Sequence, residues 1–359
     1  MNLLSTNNLL KQISKTMPLK IRTAENTDND NWDNYVLNHP SGSVFHLTAW
    51  KKVIEKSFGH KNTYLIAENE DIICGIFPIF EIKSLLFGHS FISVPFAEIG
   101  GPLTDNQDIE QLFIKHASKI TKSQSAQYLE IRNRKVIPGL KTKSLYYNFR
   151  KEIFSEHDEN LKAIPRKSRA MVRNAIKKGL ASETGHHLLP KFYKILALNY
   201  HRLGTPIFPK KFFKNFLREY KENADILVVK TKEGELAAAV LFFIYKEQMV
   251  PYYAGSDFTF RRLGPNDFMY WELMKYAVEK GCTIFDYGRS KEGTGSFSFK
   301  KHWGFKPEPL AYQYHLAKAN DLPNLSPANP KYQKKIQMWK KMPHFLTKFL
   351  GPYISRDLV

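Results

Sequence analysis

Cysteine is nearly absent from this chain. Cys74 and Cys282 are the two among 359 residues, far apart and in no Cys-x-x-Cys or Cys/His spacing. That pattern implies neither a disulfide framework nor a zinc site, and it suits a reducing cytoplasm. Nowhere do about 18 apolar residues run uninterrupted, as a membrane-spanning helix requires. The longest candidate, Leu236 to Tyr245, is short enough to be a buried strand. At the start, Leu3, Leu4, Leu9, Leu10 and Ile13 are interrupted by Asn, Gln and Lys, so the continuous apolar stretch and small-residue cleavage site of a secretory signal are missing. The expectation is a cytoplasmic protein, either soluble or peripheral at the inner face of the membrane. Acid is scarce too: 34 Asp and Glu against 54 Lys and Arg leave a formal charge of +20. Such an excess favours anionic partners, whether nucleic acid, phosphorylated substrates or an acidic membrane face, without choosing among them.

Apolar residues, by contrast, make up 43% of the chain and aromatic ones 14%, enough for a substantial core, and the length suggests two domains. Residues 1–18 read as an N-terminal extension. In the first α/β unit, 19–150, strand patterns at Lys20–Arg22, Thr63–Ala67, Ile72–Phe80, Ser90–Pro95 and Tyr128–Arg132 alternate with helical ones at Asn31–Leu37, Leu47–Phe58 and Ile109–Lys122. The second unit, 151–317, repeats this order in outline. Helices at Pro165–Lys178, Leu188–Arg202 and Lys210–Lys221 lead into strands at Ile226–Lys230, Glu235–Tyr245 and Gln248–Ala254. A helix at Pro265–Lys280 and strands at Thr283–Tyr287 and Tyr312–Leu316 follow. Residues 318–359 form a basic helical tail with eight Lys or Arg against two Asp. Trp339, Phe345, Phe349 and Leu350 give that tail an apolar side, which fits either an anionic membrane surface or packing against the second unit.

The stretch Ile284 to Phe305 concentrates the chemistry. A short strand, Ile284-Phe285, ends in the ionisable groups Asp286, Tyr287, Arg289 and Ser290. Gly288, Gly293 and Gly295 permit close backbone approach to a ligand, and Lys300 and Lys301 follow between Phe299 and Trp303. Asp and Lys beside an apolar wall must be paired or hydrated, so the segment is either a site or a solvated hairpin with a surface ion pair. A second feature is the stripe Arg166, Arg169, Arg173 and Lys177, which spacings of three and four align on one helix face, with Val172 and Ile176 expected inward. It contains no acid, and reads either as a phosphate-binding rail or as an ordinary solvated face. A third is the turn Arg261-Arg262-Leu263-Gly264-Pro265-Asn266 before a helix, which partly matches the Arg-x-x-Gly-x-Gly/Ala turn that holds the coenzyme A pyrophosphate in acetyltransferases of the GNAT class. Pro265 supplies no N–H, and Asn266 stands where a small residue is wanted. Pro265 is equally a good first helical residue. Tyr252 and Tyr253 are adjacent on a strand, so one is expected to line a cleft while the other packs.

Tyr253-Ala-Gly-Ser, Asn266-Asp-Phe-Met-Tyr-Trp-Glu-Leu, Phe285-Asp-Tyr-Gly-Arg-Ser, Gly293-Thr-Gly and Phe299-Lys-Lys-His-Trp-Gly-Phe resemble the FemAB-related proteins, notably the branch associated with exosortase and exopolysaccharide systems. Pro95-Phe96, Gly100-Gly101-Pro102, Trp339 to Pro343 and Gly351-Pro352 extend the likeness over nearly the whole chain. The resemblance implies an α/β fold of two tandem GNAT-like domains, with mixed sheets flanked by helices. It implies an acyltransferase acting on an amine of a cell-envelope or exopolysaccharide-related acceptor, such as a peptidoglycan precursor or glycolipid. The donor co-substrate would be aminoacyl-tRNA or acyl-CoA, with no tightly bound cofactor. The family's Phe-Lys pair falls on Phe299 and Lys300, the lysine being associated with the aminoacyl-tRNA donor and with stabilising charge during transfer. No Ser/His/Asp or Cys/His order suggests a covalent intermediate, so direct attack in a ternary complex is expected. Lys300 or Lys301 would stabilise the oxyanion and Asp286 would accept or orient the amine proton. Arg289 would anchor a phosphate or carboxylate, with Tyr252, Tyr253, Arg262, Asn266, Tyr287 and Phe299 around the substrates, and Arg166, Arg169 and Arg173 binding anions. The rivals are an acyl-CoA-dependent N-acyltransferase and a non-enzymatic basic scaffold that docks anionic glycolipid or membrane.

Overall fold

The apolar run Leu236–Tyr245 is a strand buried on both faces, and its side chains divide by the period of two that a pleat imposes. Ala239, Leu241 and Phe243 enter one core, while Ala238, Val240 and Phe242 enter another. That strand lies in the interior of one of two eight-stranded sheets. The computed structural model describes residues 19–324 and 329–359; the extension expected over residues 1–18 lies outside them.

The first unit comprises β1 (Lys20–Thr23), α1 (Asn29–Asn38), α2 (Thr48–Phe58), β2 (Asn62–Asn69), β3 (Ile72–Ser84), β4 (Gly88–Ile92), β5 (Leu103–Thr104), α3 (Gln107–Ser123), β6 (Tyr128–Asn133) and β7 (Lys141–Lys143). Next come β8 (Tyr146–Glu152), α4 (His157–Ala163), α5 (Arg166–Lys177), β9 (Ala181–Thr184), α6 (Leu189–Leu203), α7 (Lys210–Tyr220), β10 (Ala224–Lys230), β11 (Leu236–Tyr245), β12 (Gln248–Ser256), α8 (Pro265–Glu279) and β13 (Ile284–Asp286). The chain finishes with β14 (Ser290–Lys291), α9 (Gly295–His302), β15 (Pro307–Pro309), β16 (Ala311–Leu316), α10 (Pro330–Lys341) and α11 (His344–Ser355). Both sheets are mixed and helix-flanked. The first runs β1-β2-β3-β4-β6-β16-β7 with β5 beside β3, the second β14-β8-β13-β12-β11-β10-β9 with β15 beside β8.

The two sheets trade strands. β8 follows the first sheet in sequence yet pairs antiparallel with β13, and β16, expected as the last strand of the second unit, pairs antiparallel with β6 and β7. Cuts after residues 150 and 317 therefore do not separate the sheets. Side chains bind the units further. Trp50 of α2 lies 4.8 Å from Phe216 of α7, ring centre to ring centre, Asn215 Nδ2 donates to Ser57 Oγ (2.8 Å), and Tyr220 Oη donates to the Val44 carbonyl (2.8 Å). One apolar cluster accordingly includes residues from both units, and each fully buried ring of this size contributes about 2–3 kcal/mol.

In each sheet one parallel pair holds for two positions only: Phe91–Leu129 and Ile92–Glu130 between β4 and β6, Gln248–Ile284 and Met249–Phe285 between β12 and β13. Beyond these the strands part, and loops leave the carboxyl ends of β4 and β13. Open α/β sheets bind ligands at such ends. Phe96, in the loop after β4, has φ +61°, a left-handed backbone that costs an aromatic residue on the order of 1–2 kcal/mol. The tail packs on the second unit: His201 Nε2 bonds the Met342 carbonyl (2.9 Å) and Ser355 Oγ donates to the Ile207 carbonyl (3.0 Å). Among the described residues, no helix is long and apolar enough to cross a membrane.

Candidate functional site

Glu98 and Arg289 meet where the loops after β4 and β13 face each other. Glu98 is the single Asp, Glu, Lys or Arg between Lys83 and Asp105, set in the apolar run Val94 to Gly101, and it is buried. Its Oε1 accepts the backbone N–H of Arg289 at 2.7 Å. Gly288 makes this approach possible: its φ is +70°, and a Cβ there would lie 2.2 Å from the same oxygen. Burial raises the Glu98 pKa, with Asp286 adding to the rise and Lys300 opposing it.

The Arg289 guanidinium lies 4.6 Å from the centre of the Tyr146 ring and 5.6 Å from that of Tyr312, and it donates to Tyr312 Oη (2.6 Å). Tyr312 Oη in turn donates to the Glu98 carbonyl (2.7 Å). Arg132 also stands near Tyr312, 5.3 Å from the ring centre, donating through Nε to Glu130 (2.7 Å) and through Nη1 to the Ala97 carbonyl (2.8 Å). Glu130 is thus spent on Arg132 and Asp286 on Arg134, and among the described residues the Arg289 guanidinium has no carboxylate within 4.0 Å. A half-buried guanidinium without a carboxylate partner is suited to binding an anion. It borders two cavities, one of about 280 Å³ lined by Glu98, Arg132, Tyr200, Tyr252 and Tyr253, and one of about 150 Å³ lined by Glu130, Tyr146 and Tyr314. Both the exchanged strand β16, through Tyr312, and β8, through Tyr146, reach this place.

Lys300 and Asp286 are brought together but lie beneath the cleft, lining neither cavity. Lys300 Nζ donates to the carbonyls of Gly288 (2.8 Å) and Arg289 (3.0 Å), holding the turn that presents Arg289. Asp286 accepts from the Gly288 N–H (2.9 Å), Asn148 Nδ2 (3.3 Å) and Arg134 Nη2 (3.3 Å). Around this turn Asn148 Oδ1, Tyr287 Oη and Ser290 Oγ are buried with hydrogen-bonding capacity unused. Burial pulls Lys300 down to about 8 against the pull of Glu98 and Asp286. A folded-state pKa below the ordinary 10.5 means that the stability tied to Lys300 is present above 10.5 and lost as pH falls through 8. Raising pH from 8 to 10.5 should therefore stabilise the wild type relative to Lys300→Met, by up to about 3 kcal/mol in denaturant titrations; a pH-independent difference would count against a buried ammonium.

The other expected residues divide. Tyr252 and Tyr253 both line the larger cavity, contrary to the alternation of a regular strand, because the register slips from Leu241–Tyr253 to Phe242–Pro251 and makes Tyr252 the extra residue of a bulge. The Tyr252 hydroxyl donates to the Phe96 carbonyl, bracing the strained loop. Tyr287 is buried among Tyr270, Phe285 and Phe305, and Phe299 packs on Tyr270 and Trp303, so neither faces the cleft. Residues Gly295–His302 are a helix rather than part of a hairpin. Thr294 caps it, its Oγ accepting the Phe297 N–H (3.4 Å), and Gly295 is its first residue. Lys301 is exposed on α9.

Arg262 and Asn266 are exposed at the start of α8, away from both cavities. A Cβ on Gly264 would lie 3.3 Å from Met171 Cε, so α5 covers the turn that partly matched a pyrophosphate cradle. On α5 the buried positions are Ser168, Val172 and Ala175, while Ile176 is 47% exposed, which corrects the inward expectation for it. Arg166, Arg173 and Lys177 are exposed and Arg169 is partly so. Ser168 Oγ donates to the His302 carbonyl (3.0 Å), which sets this basic stripe beside the end of α9 that carries Lys301. Four site residues were not expected from the sequence: Glu98 belongs to the other loop, Arg132 to β6, and Tyr146 and Tyr312 to the exchanged strands; the isolation of Glu98 among apolar residues was the available signal.

Residues 166–301 match a family described as an acetyltransferase (GNAT) domain. Over 94 residues the chain is 34% identical to lipid II:glycine glycyltransferase of Staphylococcus aureus, a match covering 24% of this chain and 22% of that protein. The chain thus spans about a fifth of the length of the curated relative it matches. Among solved structures, FemX superposes with a TM-score of 0.66 at 18% identity, over 89% of this chain and all of that one. A tandem GNAT protein from the clavulanic acid biosynthesis pathway gives 0.54 at 8% identity, over 85% and 100%. L-PGS from Bacillus licheniformis gives 0.54 at 14%, over 90% and 97%. The fold is a tandem pair of GNAT-like domains.

Proposed function

We propose that this tandem-GNAT chain is a FemAB-like acyltransferase that moves an aminoacyl or acyl group from an anionic donor to an amine of an envelope or exopolysaccharide-related acceptor. The observation that carries the reading is the joining of Glu98 and Arg289 across the two units, at the mouth left by the parting strands. In the reaction a bond forms between the acceptor nitrogen and the acyl carbon, and the bond from that carbon to the donor's oxygen or sulfur breaks. Glu98, its pKa raised by burial, takes the amine proton and passes it to the departing oxygen or sulfur, which leaves as the hydroxyl or thiol. Arg289, braced by Tyr146 and Tyr312, holds a phosphate or carboxylate and lends positive charge where the oxyanion develops. Lys300 and Asp286 act by positioning the turn. Lys301 lies with the basic stripe, outside the cleft.

Aminoacyl-tRNA is favoured as donor over acyl-CoA because Met171 fills the turn at Gly264 while Arg166, Arg173 and Lys177 stand exposed as a row for phosphates. To test the reading, the protein is incubated with labelled aminoacyl-tRNA or acyl-CoA and an extract of candidate acceptors, and mass spectrometry follows the label. Transfer from tRNA is expected; transfer from acyl-CoA alone would reassign the donor, and no transfer from either would sink the acyltransferase reading. Charge reversal in Arg166→Glu/Arg173→Glu should raise KM for the tRNA donor about tenfold and flatten its salt dependence, leaving kcat unchanged. An unaltered KM would remove the stripe from donor binding.

A further inference from the structure

α11 has apolar character on the side that faces away from the protein. Thr347, Gly351 and Ser355, four residues apart, make its buried face. Gly351 sits so close to Ile207 that a Cβ would lie 2.8 Å from the Ile207 backbone nitrogen. The opposite stripe, also spaced by four, is Phe345, Phe349 and Tyr353, at 70%, 65% and 70% exposure. A helix on the surface of a water-soluble domain turns polar side chains outward; this one turns out three aromatic rings.

Nearby elements continue the pattern. Met338 of α10 is 67% exposed, and at the turn between β3 and β4 Leu85 is fully exposed and Leu86 67%. An apolar groove of about 360 Å³ joins the two, lined by Leu86 and Phe87 on one side and Ile336, Trp339, Ile354 and Leu358 on the other. Scattered apolar residues are ordinary on a surface, whereas a contiguous set marks a contact. Charge identifies the contact. From Pro330 to Arg356 there are seven Lys or Arg and no Asp or Glu. A second copy docking through the same face would set these cations against each other. Aromatic rings flanked by lysines fit the headgroup boundary of an anionic bilayer instead.

We propose that the α11 outer stripe, Met338 and the Leu85–Leu86 turn form one docking face for an anionic bilayer. The groove shares Thr205, Pro206 and Leu358 with the cavity that contains Glu98 and Arg289. On the acyltransferase reading, an acceptor anchored in that bilayer is presented beside the site. The docking itself is independent of that reading and is measured without substrate.

The test is co-sedimentation of the full chain with phosphatidylcholine vesicles, with and without phosphatidylglycerol, at low and high salt. Binding is expected only where phosphatidylglycerol is present, weakened by salt. Phe345→Asp/Phe349→Asp and, separately, Leu85→Asp/Leu86→Asp should each lower it at least about tenfold, with circular dichroism and thermal melting unchanged because these side chains are solvent-facing. Absence of binding to the anionic vesicles, or binding that both double variants retain, would overturn the proposal. A concentration-dependent dimer in light scattering that the Phe345→Asp/Phe349→Asp variant abolishes would overturn it as well, in favour of a second copy.

Discussion

Exchanging Glu98 for glutamine should slow acyl transfer by about 10²–10⁴-fold while the protein remains folded. Glutamine keeps the size of the side chain and an oxygen to accept the Arg289 N–H, so the turn at Gly288 is undisturbed. What disappears is the capacity to take a proton. The stability effect runs opposite to the rate effect. A carboxyl whose folded-state pKa is raised stabilises the protein fully below its unfolded pKa, and that contribution is lost as pH rises through the folded value. Near neutrality the neutral amide is therefore the cheaper group to bury, and Glu98→Gln should unfold at a denaturant concentration equal to or above that of the wild type. In the wild type the transfer rate should climb as pH rises through the Glu98 pKa, and in Glu98→Gln that limb should be flat. A variant with full activity and an unchanged pH profile would eliminate Glu98 as the base.

Arg289→Lys should raise KM for the substrate that carries the anion by about 10–100-fold, although formal charge is preserved. An ammonium neither stacks on Tyr146 nor offers a planar fork, and the 2.6 Å bond to Tyr312 Oη is lost in its present geometry. Arg289→Ala goes further and leaves Tyr312 and the cleft wall without their partner, which should cost about 1–3 kcal/mol of stability in addition. Steady-state kinetics of both variants, with each substrate varied in turn, identify which one Arg289 holds. If KM for donor and acceptor alike stays at the wild-type value in Arg289→Lys, the arginine is a structural tie.

Local structure was legible to a large degree. Period-two and period-3.6 patterns placed β11, α5 and α8 within a residue or two of their observed ends, because backbone pairing and burial impose those periods directly on side-chain type. Partnership was not legible. The pattern of Tyr312 to Leu316 declares a half-buried strand but carries no mark of which sheet receives it, since both sheets offer an apolar face and an open edge. The bulge that brings Tyr252 and Tyr253 to one cavity is a one-residue slip against Phe242 and Pro251, and no feature of Gln248 to Ala254 taken singly encodes it. The paired lysines drew attention to Lys300 by type, and its burial under the carbonyls of Gly288 and Arg289 depends on α9 being a helix. That helix was hidden by three glycines of which Gly288 and Gly293 adopt positive φ while Gly295 does not. Glu98 illustrates the converse: one acid in an apolar stretch was visible as composition, but its meaning required Arg289, which lies far along the chain.

The traded strands also govern the order of events during synthesis. Roughly 180 residues separate the end of β6 from the start of β16, and a ribosome adding 5–20 residues per second takes on the order of 10–40 s to supply them. Throughout that interval the nascent first sheet keeps the free edge of β6, and β7 has no neighbour. β8 waits likewise for β13. Tyr146 and Tyr312, the two rings beside which the Arg289 guanidinium lies, arrive on these late-joining strands, so the surroundings of Arg289 are completed only when the intertwining of the two halves is complete. A nascent chain halted before residue 311 would hold Glu98 without its arginine's brace, and an open strand edge exposed for this long is a site for capture by a chaperone or by another nascent copy.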